Sequence, residues 1–264
     1  MRFTSVLLLI LLTICPAWAQ SASSTNAPPR ALPVSAADLA TPLAVPGGVN
    51  VHWFGHGFVY LTSSVGIRAA IDPFGPATVH YKFPQHLGAD FVLVSDEAED
   101  HCGADLIFEN PLIFRSVMAV GLQRANGIPF HGISLQKDPS GEGGANTAFS
   151  LTFDGVTFGY LGRISRPLNS QEKIQLGHVD VLFLPVGLNT LSVAELNQVV
   201  SDLSAKIIIP INYKTNLSGD LPLRSLDDYL SATKLPIRRI SSDEIVVTRA
   251  TLPEQPTLYL LKSP

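Results

Sequence analysis

Short apolar runs split by turn residues dominate the chain after Gly48. Val49 to Phe54, Phe58 to Thr62 and Ile67 to Ile71 predict three consecutive strands, punctuated by Gly55, Gly57 and Ser63-Ser64. Phe91 to Ser95 is apolar without alternation, the pattern of a strand buried on both faces. Ala148 to Phe153 and Val156 to Leu161 flank Asp154-Gly155, the strongest hairpin signal in the chain. From Val179 onward, strands alternate with helices. Val179 to Pro185 and Lys206 to Ile211 read as buried strands. Between them, Val193, Leu196, Val199, Val200 and Leu203 fall at helical spacing, with Ser192 as N-cap. Leu226 to Thr233 predicts a short helix capped by Ser225, and Ile245 to Thr248 and Thr257 to Leu261 predict closing strands. Hairpins first and β-α-β units afterwards imply an α/β protein of layered sheets with helices outside.

The first 46 residues have a different texture. Arg2, the apolar run Val6 to Ile14 and Ala17-Trp18-Ala19 predict an export signal over residues 1–19, cleaved before Gln20. That run is too short to span a bilayer comfortably. Cys15 follows Ile14, where a lipid-attachment site wants a small residue. Residues 20–46, rich in Ser, Ala and Pro, predict a linker, which leaves one domain over residues 47–264. The expected address is periplasmic or extracellular, with no transmembrane helix in the mature chain. Cys102 is alone there, so it makes no intramolecular disulfide.

Composition narrows the function classes. With 46% hydrophobic and 15% charged residues among 264, the chain can pack a core and is not a disordered protein. Eighteen Lys and Arg against 22 Asp and Glu give a net charge of −4 without a basic block, which excludes nucleic acid as the main partner. There is no G-x-S-x-G elbow, and Gly141 to Gly144 lacks the Lys-Ser/Thr ending of a phosphate loop.

Several pieces then occur in a telling order: Trp53-Phe54-Gly55-His56, Ile71-Asp72-Pro73-Phe74, Ala89 to Ser95, Gly144-Ala145-Asn146-Thr147, Tyr160-Leu161-Gly162, Val179-Asp180-Val181-Leu182 and Ile209-Pro210-Ile211. This series resembles the metallo-β-lactamase fold, in the branch of metal-dependent hydrolases that includes ascorbate-6-phosphate lactonase. The resemblance runs from Val49 to the end. It implies an αββα sandwich, two sheets face to face with helices on both outer faces.

The same resemblance exposes departures at the metal ligands. The family's first motif is H-x-H-x-D-H, and here Asp96-Glu97-Ala98-Glu99-Asp100-His101 stands in its place. Ala98 has no donor atom. Where the family has a His before an Asp, this chain has Lys137-Asp138; Arg163 replaces a bridging aspartate, and Asn212 replaces a His. A charged ammonium has no lone pair, and a guanidinium offers none at all. The resemblance therefore implies a vestigial site at Asp96, Ala98, Asp100, His101, Lys137, Asp138, Arg163 and Asn212, with no catalytic residue and no cofactor assigned. The expectation is an exported, non-hydrolytic relative whose cleft, if used, takes an unknown small molecule or protein. The alternative is a hydrolase with one zinc held by Asp96, Asp100, His101 and Asp138.

Outside the motif the readings are plain ones. His56 borders the cleft without ligating, Asp72 caps a turn, and residues 96–100 form a solvated acidic loop that His101 closes as a polar loop residue. One expectation is sharper. The charges at Asp96, Asp100, Lys137 and Arg163 sum to zero, so Lys137 or Arg163 should reach into the former metal site and pair with the acids. Arg163 is the better candidate, because its planar fork matches a carboxylate.

Overall fold

The computed structural model describes residues 47–75, 77–136 and 144–264. The expected export signal (1–19) and linker (20–46) lie outside the described residues, as do Lys137, Asp138 and most of the Gly-rich turn after them.

The chain opens as a meander of β1 (Val49–Gly55), β2 (Phe58–Thr62) and β3 (Arg68–Ile71). Next, β4 (Phe91–Val94) and β5 (Leu112–Arg115) add in parallel. A second antiparallel run follows: β6 (Gly121–Ala125), β7 (Ile128–Gln136), β8 (Ala145–Phe153) and β9 (Val156–Tyr160). The rest alternates: α1 (Ser170–Leu176), β10 (Val181–Pro185), α2 (Val193–Asp202), β11 (Ile207–Ile211), α3 (Leu226–Ala232), β12 (Ile237–Arg239), β13 (Glu244–Val247) and β14 (Thr257–Leu260). One sheet has the order β13-β1-β2-β3-β4-β5, and the other β12-β14-β11-β10-β9-β8-β7-β6. β13 pairs with β1, Val49 opposite Val247, so the last part of the chain completes the first sheet.

Side-chain alternation explains the layers. On β2, Val59 and Leu61 join the main core, which also holds Phe149, Phe158 and Phe183 of the second sheet. Phe58 and Tyr60 point to the other face and pack with Phe74, Val79, Tyr81 and Ala104. The outer layer of the six-stranded sheet is thus the segment after β3 with a short 3₁₀ turn at Gly103–Leu106, in the place where the sequence suggests helices. On the eight-stranded sheet the layer is α-helical. β10 and β11 are buried at every position and run parallel, with α2 as their crossover. Leu196, Val199, Val200 and Leu203 give α2 its apolar stripe. Ser192 and Glu195 close a reciprocal capping box at its start.

The helix α1 and the strands β5, β6 and β12 lack a readable apolar signature, and in β7 Pro129 and Gly132 interrupt one. Ile174 of α1 is exposed, as are Leu112, Ile113 and Leu122 of the edge strands. α1 is fixed by its ends instead, where Asn169 and Glu172 form a capping box and Arg166 pairs with Glu172 at 2.7 Å. No helix among the described residues is long and apolar enough to cross a membrane.

The topology gathers one edge of both sheets. β3 and β4 run parallel, as do β9, β10 and β11, so their carboxyl ends lie at common edges. The β1–β2 turn belongs there too, because β2 runs antiparallel to β3. Asn212 after β11 donates its backbone N–H to His56 O of that turn, at 3.0 Å, and Thr147 N donates to Ser95 O at 2.9 Å, so both sheets are bound together at this edge.

Phe183 is fully buried at the centre of the second sheet and stacks near Phe158 and Tyr160. Phe183→Ala should lower unfolding free energy by about 3 to 5 kcal/mol, the usual cost of a core Phe truncation. Urea unfolding of the two proteins measures this; a loss below about 1 kcal/mol would mean the site collapses onto the cavity.

Candidate functional site

Five segments deliver polar side chains to the common edge: the β1–β2 turn (His56), the end of β3 (Asp72), the β4 loop (Ser95 to His101), the end of β9 (Tyr160 to Arg163) and the end of β11 (Asn212). His56, Asp72, Ser95, Asp96, Asp100, His101 and Asn212 are all buried. Three of them, His56, Asp72 and Asn212, have left-handed φ values of 49°, 47° and 52°. That conformation is uncommon outside glycine and concentrates where a fold holds functional groups.

Asp72 is the hub. Its Oδ1 accepts Ser95 N–H at 2.6 Å. Its Oδ2 accepts the Ser95 hydroxyl, His101 Nδ1–H at 2.6 Å and Tyr160 O–H at 2.7 Å. The acceptor opposite Nδ1 assigns the proton there, which turns His101 Nε2 inward toward Asp100. Burial, then the Asp72 charge, pushes the Tyr160 hydroxyl well above its ordinary value, so it stays a donor.

Asp100 is the second centre. Its Oδ2 lies 2.9 Å from His56 Nε2 and 3.5 Å from His101 Nε2, and it accepts a direct hydrogen bond from Arg163 Nη2. Arg163 Nε lies 3.6 Å from Asp96 Oδ2, so one guanidinium spans both acids. Burial opposes ionisation of Asp100. The hydrogen bond from His56 and the neighbouring positive groups outweigh it and hold the carboxyl well below its usual range. For His56 burial wins: it lowers the imidazole's affinity for a proton despite the Asp100 contact, and the ring is a neutral donor through Nε2.

Two glycines make this packing possible. A Cβ on Gly57 would sit 2.8 Å from Asn212 Oδ1 and 2.9 Å from Tyr160 OH. Gly162, at φ +57°, would place a Cβ on Asn146 Oδ1 and Ser95 Oγ. Asn146 in turn donates to Leu161 O at 2.9 Å and accepts from Arg163 N at 3.0 Å, which aims the turn carrying Arg163 into the site. Asp96 and Ala98 line a cleft of about 640 Å³ together with Arg115, Val117 and Met118.

The structure therefore brings Asp96, Asp100, His101 and Arg163 together, with Asn212 at their margin; Lys137 and Asp138 are outside the described residues. Three expectations need correction. Asp96 and Asp100 are not in a solvated loop: they are 2% and 3% exposed, and only Glu97 and Glu99 face solvent. Asp72 does more than cap a turn, because an unpaired carboxylate at 0% exposure would be untenable without its four donors. His101 and His56 are buried members of the cluster, and His56, Asp100 and His101 present ligand-type atoms within 4.8 Å of one another. In the sequence, the setting of His56 between Gly55 and Gly57 announces only a turn. That turn puts the imidazole between β1 and β2.

The donor set does not fit a resident metal ion of the kind the resemblance implies. Ala98 offers nothing. Both Asn212 side-chain atoms are buried without a hydrogen-bond partner, but they are amide groups, weak ligands beside an imidazole. Above all, among the described residues the Arg163 cation is already bound to Asp100 and lies 3.6 Å from Asp96.

The family profile described as the β-lactamase superfamily domain matches residues 50–212. A candidate Zn-dependent hydrolase of the metallo-β-lactamase superfamily from Thermotoga maritima is 25% identical, with a TM-score of 0.65 over 82% of this chain and 100% of that one. A candidate metal-dependent hydrolase from Parabacteroides distasonis is 17% identical, with a TM-score of 0.57 over 82% and 94%. A metallo hydrolase from Ignicoccus hospitalis is 18% identical, with a TM-score of 0.53 over 76% and 97%. The last two likenesses establish fold alone. A search of curated proteins found no significant match.

Two outcomes are expected. Arg163→Ala should destabilise the protein by about 3 kcal/mol, since it strands two buried carboxylates, while the exposed Arg239→Ala should stay within about 0.5 kcal/mol; equal losses in denaturant titrations would deny the ion pair its role. The second concerns acid. The folded-state carboxyl of Asp100 is held below its unfolded value, so the unfolded chain takes up the extra proton as pH falls. Its contribution is complete above about pH 4 and is lost below, toward the folded-state value. Urea midpoints between about pH 6 and pH 3 should fall more steeply for the wild type than for Asp100→Asn.

Proposed function

This chain belongs to the β-lactamase superfamily domain family, on the metallo-β-lactamase fold, and from that membership we propose that it is a non-hydrolytic member that holds no resident catalytic metal. One observation carries the reading: the Arg163 guanidinium is bound to Asp100 and faces Asp96 in the floor of the site. A covalently attached cation supplies there the positive charge that buried carboxylates require. A guanidinium cannot lower the pKa of a bound water in the manner of zinc, because it has no open coordination position.

The protein acts outside the cytoplasm, in keeping with the signal-like residues 1–19. Its working surface is the cleft beside Asp96 and Ala98. That volume suits a small molecule, and Val117 and Met118 offer it an apolar wall.

Metal analysis of the mature chain, purified without chelator, tests this reading. Less than about 0.1 zinc, iron or manganese per chain is expected. Lactone, phosphodiester and β-lactam substrates should not be turned over. A stoichiometric transition metal together with chelator-sensitive hydrolysis would overturn the proposal.

A further inference from the structure

We propose that β6 pairs edge to edge, antiparallel, with β6 of a second copy of this chain, and that the apolar patch around that edge is the interface of a two-fold dimer. The inference goes beyond the non-hydrolytic reading and does not depend on it.

The backbone is the first argument. β5 and β6 are the terminal strands of the two sheets and are joined by the short 3₁₀ turn Ser116–Ala119, so both sheets leave an open edge on the same side. β6 carries neither lysine nor proline, residues that commonly blunt such an edge. Asn126 and Gly127, at φ 47° and 85°, close a two-residue hairpin between β6 and β7, which makes Ala125 and Ile128 a hydrogen-bonded pair. Ladder alternation then turns the N–H and C=O groups of Leu122 and Arg124 away from β7, toward the open edge. Pro129, opposite Arg124, has no N–H to offer and fits a pair without mutual bonds. A two-fold axis at Gln123 places Leu122 opposite the partner's Arg124, and each such pair exchanges both of its backbone bonds.

Area is the second. Leu112, Ile113, Val117, Met118, Val120 and Leu122 make up half of the exposed large apolar side chains among the described residues, and they fall on this one side. Leu122 is 84% exposed and Met118 79%. Together the six uncover on the order of 600 Å², the upper end for the largest patch on a monomer and most of the roughly 800 Å² per partner of a standard interface.

Charge is the third. Arg115 within the patch is paired with Glu97 at 3.3 Å and Asp105 at 3.0 Å. Arg124 leans toward its own turn, with Nη1 donating to Gly127 O at 2.7 Å. The patch thus meets its own copy with little repulsion, and the stem of Arg124 can cover the partner's Leu122. Residues 106–125 contain no lysine, so this side offers no cation cluster to an anionic surface. Val117 and Met118 also line the cleft beside Asp96, so the dimer sets that cleft at a subunit boundary.

Sedimentation velocity of the mature chain between about 1 and 100 µM tests the proposal. A dimer is expected at the upper concentrations. Leu122→Arg sets like charges against each other at the partner's Arg124 and should weaken the dimer roughly 10-fold or more. Leu122→Arg/Arg124→Glu restores opposite charges and should recover most of that loss. In a Cys102→Ser background, Gln123→Cys should give a disulfide-linked dimer on oxidation, because a pair without mutual bonds holds its Cα atoms about 4.5 Å apart. Gln198→Cys, on exposed α2, should not. Should Leu122→Arg not fold, Met118→Lys takes the same measurement. A monomer at about 100 µM would overturn the inference, and one that cosediments with phosphatidylglycerol vesicles would give the patch to a lipid surface instead. A dimer that Leu122→Arg leaves intact would also overturn it, as would one that charge reversal does not rescue and Gln123→Cys does not cross-link.

Discussion

A carboxylate with no access to water must find its donors within the protein, and Asp72 sets that requirement at the centre of this molecule. Its four hydrogen bonds come from the end of β4, from the loop beyond it and from β9 of the facing sheet. They cannot form unless both sheets are in register at that edge. The left-handed backbone at Asp72 and His56, and the missing side chain at Gly57, follow from the same demand, because Tyr160 must approach both Asp72 and Gly57 O. Apolar packing would allow the two sheets to slide by small amounts. The polar knot allows one arrangement.

Around that knot, buried acids are balanced by a cation the chain itself carries. Two buried acids, Asp96 and Asp100, face one guanidinium, and two imidazoles flank the second acid. Arginine suits the position because its fork can serve two acceptors at once, which an ammonium of similar reach does less well. The guanidinium thus supplies positive charge beside both buried acids at the edge where the two sheets meet.

The fold was largely legible. β10, α2 and β11 announce themselves through an apolar run, a helical stripe with a Ser cap and a second apolar run. The ordered pieces from Trp53 to Ile211 supplied the family. What escaped were α1, held by its capping box, the edge strands β5 and β6, half exposed, and β7, whose buried Phe130, Ile133 and Leu135 are interrupted by Pro129 and Gly132. In the site, Arg163 opposite Asp96 and Asp100 followed from charge bookkeeping along the sequence. Asp72, Tyr160 and His56 did not, because burial decides their roles, and Asp-Pro or Gly-His-Gly reads locally as a turn. A turn residue becomes a hub only when the facing sheet closes over it.

The pairing of Val49 with Val247 has a consequence for how this molecule comes into being. The first strand among the described residues finds one of its two neighbours about 200 residues later. Until then β1 has an open edge, and the inner faces of the first sheet lack part of their cover. Contacts distant along the chain therefore complete the first sheet, the kind of topology that slows folding. A polypeptide cut short before Glu244 would lack every partner that β13 gives to β1, from Val49 to His52.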